Sequence, residues 1–406
     1  MRSRLFVFVS IVQAILFLAH WFVYATVAHF WGGMATSWTV KLAFVLLSIS
    51  FVATSLRGWY SYRPLVRFLY SISATWIGFA SFFLLASVAC WIIYGVSAAA
   101  GLGWRPARIA DVTFVVAAAA GLYGVLNAAW PRLVRISVAL PNLPPQWRGR
   151  TAALVSDLHL GHVRNGRFVR RVVNTLLELQ SDIVFVAGDL YDGVAGDFEK
   201  LAQPWNELVL SPQAAALGVY YIAGNHEEFY RNAEYLPPLQ RAGIQVLNNE
   251  KVEVDGLQLI GVHYRDAEYL PPLLRAGIQV LNNEKVEVDG LQLIGVHYRD
   301  AVNPERYRST LRGMKLDRTR ASVLLLHAPV RLPISEAEGI SLQLSGHTHG
   351  GQFFPWTLIA KRVWSKFIHG LQRFGSLQVY TTYGTGTWGP PLRLGTRPEI
   401  VLITFA

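Results

Sequence analysis

Apolar residues follow two different rhythms along this chain. In the first 130 residues they run together, in four segments at 5–30, 38–56, 68–94 and 112–130. Each segment approaches or exceeds the ~20 residues that a helix needs to cross the hydrocarbon core of a bilayer. Trp and Tyr stand near several of the ends, where interfacial anchors belong. Four such segments in series leave almost no polar face, which argues against buried helices of a soluble domain. The first is too long for the apolar stretch of a cleaved signal peptide, and no A-x-A site follows it. The pattern predicts a transmembrane region of four helices over residues 1–131.

Beyond Trp130 the rhythm shortens. Residues 133–140 alternate as an edge strand does, and Pro141, Pro144 and Pro145 mark a linker, so 132–150 reads as edge strand plus linker. From Thr151 to the end, short β-branched runs at 152–156, 183–187, 219–223, 323–326 and 342–345 alternate with helical stretches. The clearest of these is 168–179, with apolar residues at helical spacing. Strands with helices packed on them, an α/β domain over 151–406, are the expectation. Residues 233–266 recur almost unchanged as 267–300, differing only at Gln240 against Leu274. Two copies are too few for a solenoid. Each copy reads as a short Pro-interrupted helix and then two strands joined at Asp-Gly (Asp255-Gly256, Asp289-Gly290), a hairpin signal. The second copy is expected to be a tolerated extra hairpin, and its His297, like His263 in the first, to be structural.

Composition sharpens this division. The 406 residues are 52% hydrophobic and only 16% charged, against roughly 25% charged in ordinary soluble domains. Formal net charge is +11, but no Lys/Arg block resembles a nucleic-acid-binding tail, so the balance favours a membrane surface and an anionic substrate. Basic residues set an orientation. Arg2 and Arg4, then Arg57, Arg63 and Arg67, then Arg132 and Arg135 outnumber Lys41, Arg105 and Arg108 of the alternate loops. The positive-inside rule then puts both termini, and the C-terminal domain, in the cytoplasm of a multi-pass cell-membrane protein. Cys90, the one cysteine, lies in an apolar stretch and excludes both an intrachain disulfide and a cysteine metal site.

Candidate chemistry gathers at strand ends. Five short motifs follow the predicted strands: Asp157-Leu-His159; Gly188-Asp189-Leu-Tyr-Asp192; Gly224-Asn225-His226-Glu227; His327; and Gly346-His347-Thr-His349-Gly350. In sheets covered by helices, sites form outside the carboxyl ends of strands, so residues distant in sequence can converge. Carboxylate, imidazole and amide oxygen together suit Mn, Fe, Zn or similar ions. The donors are too many for one ion, and a pair of ions sharing a carboxylate accounts for them. The duplication falls between Asn225-His226 and His327, so it leaves every candidate ligand in place.

The five motifs, in this order, resemble those of the calcineurin-like metallophosphoesterase family. The segments Gly346–Gln352 and Gly384–Gly395 are similar to its membrane-associated bacterial branch. The resemblance implies an αββα sandwich. It also implies two divalent ions, one held by Asp157, His159, Asp189 and His349, the other by Asp189, Asn225, His327 and His347, with Asp189 shared. By the same resemblance, a hydroxide held between the ions attacks phosphorus. His226 is then the general acid, and Asp192 orients its imidazole. Glu227 is expected to support its loop rather than bind metal.

Substrate clues are thinner. His162 and Arg393 are candidate phosphate or substrate contacts. Between 353 and 374, Trp356, Lys361, Arg362, Trp364, Lys366, Phe367 and Arg373 interleave aromatic and basic residues, as a surface meeting lipid headgroups does. With four spans, this points to a lipid bilayer as partner and to a phosphate-containing, possibly lipid-linked, substrate; no protein partner is indicated. The alternative is a membrane receptor or scaffold with a non-catalytic domain, against which every ligand position is retained. A transporter is disfavoured because no acidic residue falls inside the four segments.

Overall fold

The computed structural model describes residues 2–230, 234–246, 250–254, 257–261, 291–295, 301 and 303–406. His263, His297 and most of the second repeat copy lie outside the described residues. The chain divides into two units, one of residues 1–129 with 389–394 and the other of 130–388 with 395–406.

The first unit is built on α1 (Arg2–Trp31), α2 (Trp38–Gly58), α3 (Pro64–Ala99) and α4 (Pro106–Asn127). All four are long and apolar enough to cross a membrane. Their outward side chains, among them Trp21, Leu46, Ile92 and Val116, are large and apolar. α3 and α4 begin earlier than the hydropathy pattern places them, because Pro64 and Pro106 open their first turns. Proline there gives up only an N–H that has no helical partner. The earlier start brings Asp111 into α4, a correction to the reading that these helices lack acidic residues. Its carboxylate accepts the Trp31 indole N–H at 2.9 Å. Other polar groups pair between helices: Trp76 with His20 at 2.9 Å, Trp91 with Thr26 at 3.0 Å, and Thr54 with Ser73 at 2.6 Å. Residues 389–394 complete the unit. The Arg393 N–H donates to Gly124 O at 2.8 Å, and Leu392 packs where a side chain at Gly78 would otherwise stand.

The second unit is an αββα sandwich. Among the described residues, one sheet has six strands in the order β1 (Arg132–Val138), β13 (Glu399–Phe405), β2 (Thr151–Val155), β3 (Ile183–Ala187), β4 (Val219–Ile222) and β5 (Gln245–Val246). The other has seven among them, in the order β11 (Gly370–Phe374), β12 (Leu377–Thr381), β10 (Leu342–Ser345), β9 (Ser322–Leu325), β8 (Leu291–Gly295), β7 (Leu257–Gly261) and β6 (Glu250–Val254). β2 to β5 are parallel, as are β7 to β10 with β12. β1 occupies an edge, beside β13. It is an edge strand, as its alternation predicts, and lies in the same sheet as the strands after Thr151.

Alternation along each strand builds three apolar layers. Ala152 and Leu154 of β2, with Ile183 and Phe185 of β3, meet Val323, Leu325, Leu342 and Leu344 between the sheets. Ala153, Val155, Val184 and Val186 face outward onto α5 (Gly166–Leu179), α6 (Phe198–Ala202), α7 (Trp205–Val209) and α8 (Leu236–Arg241). Leu324, Leu377 and Val379 pack against α9 (Pro304–Gly313) and α10 (Leu332–Ala337). Strands covered on both faces read as unbroken apolar runs, which is why these were visible in sequence. α5 starts two residues before its predicted span. Asn165 caps it by accepting the Arg167 N–H at 3.0 Å, and Gln180 ends it in the left-handed conformation.

The duplicated segment is taken up at a sheet edge. β6 and β7 form the antiparallel pair of the first copy, and the identical pentapeptides of β7 and β8 lie side by side, Leu257 opposite Leu291. The extra strand extends the seven-stranded sheet beyond β9, away from β10 and β12.

Candidate metal centre

Five parallel strands deliver the donors from their carboxyl ends. Asp157 stands two residues past β2, Asp189 two past β3, Asn225 three past β4, His327 two past β9 and His347 two past β10. Asp157, His159, Asp189, His347 and His349 all have φ between +46° and +69°. That left-handed region disfavours residues with a Cβ and holds only where the surroundings over-determine it. Here the loops lock one another. Asp157 N–H donates to Gly188 O at 3.0 Å, His159 N–H to Asp189 O at 3.1 Å, and Gly346 N–H to His327 O at 2.8 Å. The Asp157 carboxylate accepts the His347 N–H at 3.0 Å, and that of Asp189 accepts the His226 N–H at 2.9 Å. Gly224 must be glycine, because a Cβ there would fall on the Asp189 carboxylate and amide. Buried Glu227 ties the floor by accepting the N–H groups of Gly224, Tyr191 and Asp189 at 2.7, 2.9 and 3.1 Å.

Donor atoms then fall into overlapping groups: Asp157, His159 and His349; His159, Asp189 and His226; Asp189, His327 and His347. His159 Nε2 lies 3.0 Å from His349 Nε2, and His349 Nε2 lies 3.4 Å from Asp157 Oδ1. His327 Nε2 lies 3.2 Å from Asp189 Oδ2 and 3.3 Å from His347 Nδ1. Donors bound at ~2.1 Å to one ion are separated by roughly 3.0–3.4 Å along the edges of an octahedron or tetrahedron. The spacings therefore suit ions in both groups. Asn225 gives a second test of fit. Its Oδ1 is buried and accepts no hydrogen bond among the described residues, a costly arrangement for an amide oxygen unless a cation takes the lone pair. Behind the donors, His327 Nδ1 faces Ala187 O at 2.8 Å and His159 Nδ1 faces Asp192 Oδ1 at 3.2 Å, which aims each Nε2 inward.

The electrostatics describe a site short of positive charge. Burial alone would raise Asp189, but the imidazoles of His327 and His226 hold it well below the usual carboxylate range. Burial would likewise lower His327, yet Asp189 and Asp157 push it up to about 10. Burial and then the neighbouring His327 drive His347 down to about 3. Burial, with Asp189 nearby, raises Glu227 to about 7. Carboxylates that favour a proton on a neighbouring imidazole would favour a bound cation by the same attraction.

A family model of the calcineurin-like phosphoesterases matches residues 151–351, the stretch that contains all of these donors. The chain carries a calcineurin-like phosphoesterase domain. A Danio rerio protein named transmembrane protein with metallophosphoesterase domain is 30% identical over 313 residues, covering 72% of this chain and 62% of its own. An uncharacterized metallophosphoesterase of Helicobacter pylori is 28% identical over 252 residues, 62% of this chain and 58% of that one. One from Aquifex aeolicus is 28% identical over 293 residues, 71% and 97% respectively. The matched stretch thus spans less than two thirds of the first two relatives.

Of the residues expected from sequence, the phosphoesterase domain gathers Asp157, His159, Asp189, Asn225, His226, His327, His347 and His349. Asp192 is present in a different role. His226 Nδ1 is held by the main-chain oxygen of Asp192 at 3.0 Å, and the carboxylate, 3.8 Å from that nitrogen, lies closer to His159. His162 is buried and outside the three donor groups among the described residues. Arg393 is buried in the 389–394 segment, with its carbonyl accepting from Asn127. Sequence reasoning missed Phe229 and Trp388, exposed aromatics whose rings stand 5.5 and 5.9 Å from the His226 ring. It also missed Gln352, which braces Trp388 by hydrogen bonds of 2.9 Å to both its N–H and its carbonyl. Their signal was only a glutamine closing the G-H-T-H-G-G run and a lone Trp in a glycine-rich stretch.

Proposed function

We infer that this chain is a membrane-anchored phosphohydrolase that cleaves a phosphate ester or anhydride at a two-metal site, on a substrate with an apolar leaving group such as a lipid-linked phosphate. The observation that carries it is the chain of overlapping donor groups, in which His159 belongs with Asp157 and His349 and also with Asp189, and Asp189 belongs in turn with His327 and His347, with the His226 imidazole beside them. Mn, Fe and Zn all suit the donor set. Two such ions, when bound, draw charge from phosphoryl oxygens and ease ionisation of water. The chain's own residues do the rest. Asp157, His159 and His349 hold one position, and Asn225, His327 and His347 the other. Burial works against a proton on His226, but Asp189 and Asp192 raise its affinity for one. With Nδ1–H bonded to Asp192 O, a second proton on Nε2 is available to a departing alkoxide. Phe229 and Trp388 give that side of the site an apolar rim, which favours a greasy leaving group over a sugar or a base-free phosphate.

The four apolar helices and the relative named as a transmembrane protein support anchoring in a cell membrane with several spans, and the basic loops favour a cytoplasmic catalytic side. A screen of the purified chain with manganese, zinc or iron, across lipid phosphates, lipid-linked diphosphates, nucleotide diphosphate sugars and cyclic nucleotides, tests the reading. Lipid-linked substrates should turn over fastest, with Asp189→Asn inactive on all. Equal rates on soluble and lipid phosphates would remove the substrate class, and equal rates in Asp189→Asn would remove the mechanism.

A further inference from the structure

The segment that follows the G-H-T-H-G-G run contains a helix with a largely apolar exposed face. In α11 (Trp356–Trp364), Thr357, Ala360 and Trp364 recur at helical spacing and are partly covered, while Trp356, Ile359 and Val363 recur at the same spacing on the open side. Leu358 is 60% exposed and Val363 67%, and Phe354 just before the helix is exposed too. A surface helix ordinarily turns its large apolar side chains inward. Here Trp364 is the one large side chain of the helix on the covered side, and Trp356, Leu358, Ile359 and Val363 are exposed together with Lys361, Arg362 and Lys366. Helical spacing puts Arg362 between Leu358 and Ile359, so the exposed face interleaves large apolar and basic side chains, and exposed apolar groups gathered on one face mark a surface that meets something.

The helix is also fastened to the metal loop at both ends. Its first turn packs on the 349–351 turn of the G-H-T-H-G-G run. At its far end the Trp364 ring meets the His347 imidazole edge-on at 5.7 Å, and just beyond it Thr348 Oγ1 donates to Ile368 O at 2.8 Å. Whatever settles on the outer face of α11 therefore bears on a ligand of the second ion position.

We propose that the outer face of α11 docks on the anionic headgroup region of the bilayer that α1–α4 span, with Trp356, Leu358, Ile359 and Val363 inserted and Lys361 and Arg362 against lipid phosphates. This rests on the membrane reading given above. Composition selects this occupant. Trp and aliphatic side chains interleaved with Lys and Arg on one exposed face is the composition of an interfacial helix, whose basic side chains reach up to the lipid phosphates. The tether is short: only residues 128–131 separate α4 from β1, a link of at most ~18 Å when fully extended.

The test uses the full chain in lipid nanodiscs, with buried Cys90 replaced by serine and a polarity-sensitive fluorophore attached at Leu358→Cys or Val363→Cys. In discs of phosphatidylcholine with phosphatidylglycerol, the emission should shift to the blue and be quenched by nitroxide-bearing lipid. Quenching should weaken in phosphatidylcholine alone, at high salt, and in the Lys361→Glu/Arg362→Glu pair, by about fivefold in partitioning for each basic side chain lost. A probe that stays as wet in anionic discs as in neutral ones overturns the proposal. So does a probe shielded from water but untouched by lipid nitroxide in a particle carrying two copies, which would assign the face to self-association. Fluorescence needs no turnover, so the result stands or falls apart from the hydrolase reading.

Discussion

The helices of the N-terminal unit and the sandwich that follows treat buried polar groups in opposite ways. In the helices, polar side chains are scattered and settle locally. Thr26 Oγ1 donates to Phe22 O, Thr113 Oγ1 to Ile109 O, and single interhelical pairs such as Thr54 with Ser73 complete the set. In the sandwich, carboxylates and imidazoles are driven into one place, five of the donor-bearing residues in left-handed backbone, with Asp189 and Asp157 raising the proton affinity of His327. One unit minimises local cost everywhere, and the other concentrates it where strand ends converge. Strain and unmet charge gathered at one point are what a functional site leaves in a fold that is otherwise consistent.

The largest break in that contrast is Asp189→Asn. It removes the carboxylate that lies with His159 on one side and with His327 and His347 on the other, so bound metal should fall below two ions per chain by elemental analysis. Hydrolysis of a nitrophenyl phosphodiester should drop by about a thousandfold or more, the scale of losing charge stabilisation in a closed site. Full activity with a full metal complement would end the shared-ligand account.

A second test reads the protons directly. His327, with a pKa of about 10 in the metal-free protein, carries a proton at pH 7–8, while His347, at about 3, does not. Metal binding needs both imidazoles neutral, so loading the His327 position should release about one proton, and the apparent affinity should rise roughly tenfold per pH unit up to about pH 10. Calorimetric titration of the metal-free chain in buffers of differing ionisation enthalpy measures this. No proton release at pH 8 would mean that the two carboxylates do not hold the proton assigned to them.

Much of this division was legible in the sequence, for identifiable reasons. The four helices announced themselves because a bilayer demands length and hydropathy, both of which are local properties. Their ends were misplaced at Pro64 and Pro106 because capping adds nothing to a hydropathy window. The sandwich core was legible because β2, β3, β9 and β10 are covered on both faces. The donor set was legible because parallel strands bring their carboxyl ends together whatever the intervening lengths, the duplication included. Asp192 was not legible in its role. Whether a carboxylate or its own carbonyl reaches His226 depends on the path of one turn. The outer face of α11 was visible as aromatic and basic residues, but which of them pointed outward was not.

Glycines sharpen the comparison at lower energy. Gly224→Ala puts a methyl group onto the Asp189 carboxylate, in a place where neither loop can yield. It should cost about 1–3 kcal/mol, together with loss of metal. Gly95→Ala in α3 meets nothing within 4 Å and should be neutral or stabilising by up to ~1 kcal/mol, since alanine is the better helix former. Paired thermal melts, with metal content measured alongside, separate the two. Similar melting of both variants would mean that the site loops are no more constrained than an open helix face.

The smallest expected effect is the most informative about the helices. Thr54 Oγ1 and Ser73 Oγ are 2.6 Å apart, and each hydroxyl also has a carbonyl of its own helix within reach: Ser50 O at 2.8 Å for Thr54, and Tyr70 O at 3.0 Å for Ser73. Removing one hydroxyl by Thr54→Val keeps the shape and leaves Ser73 bonded to its own helix. The loss should be only about 0.6 kcal/mol, the average for such interhelical bonds in a membrane, where the separated helices also satisfy their hydroxyls. Measured by denaturant titration in mixed micelles, a loss of several kcal/mol would mean that this pair behaves like the donors of the metal centre, dependent on a distant partner for its only satisfaction. The contrast between a locally settled region and a converging one would then fail at the helices rather than at the site.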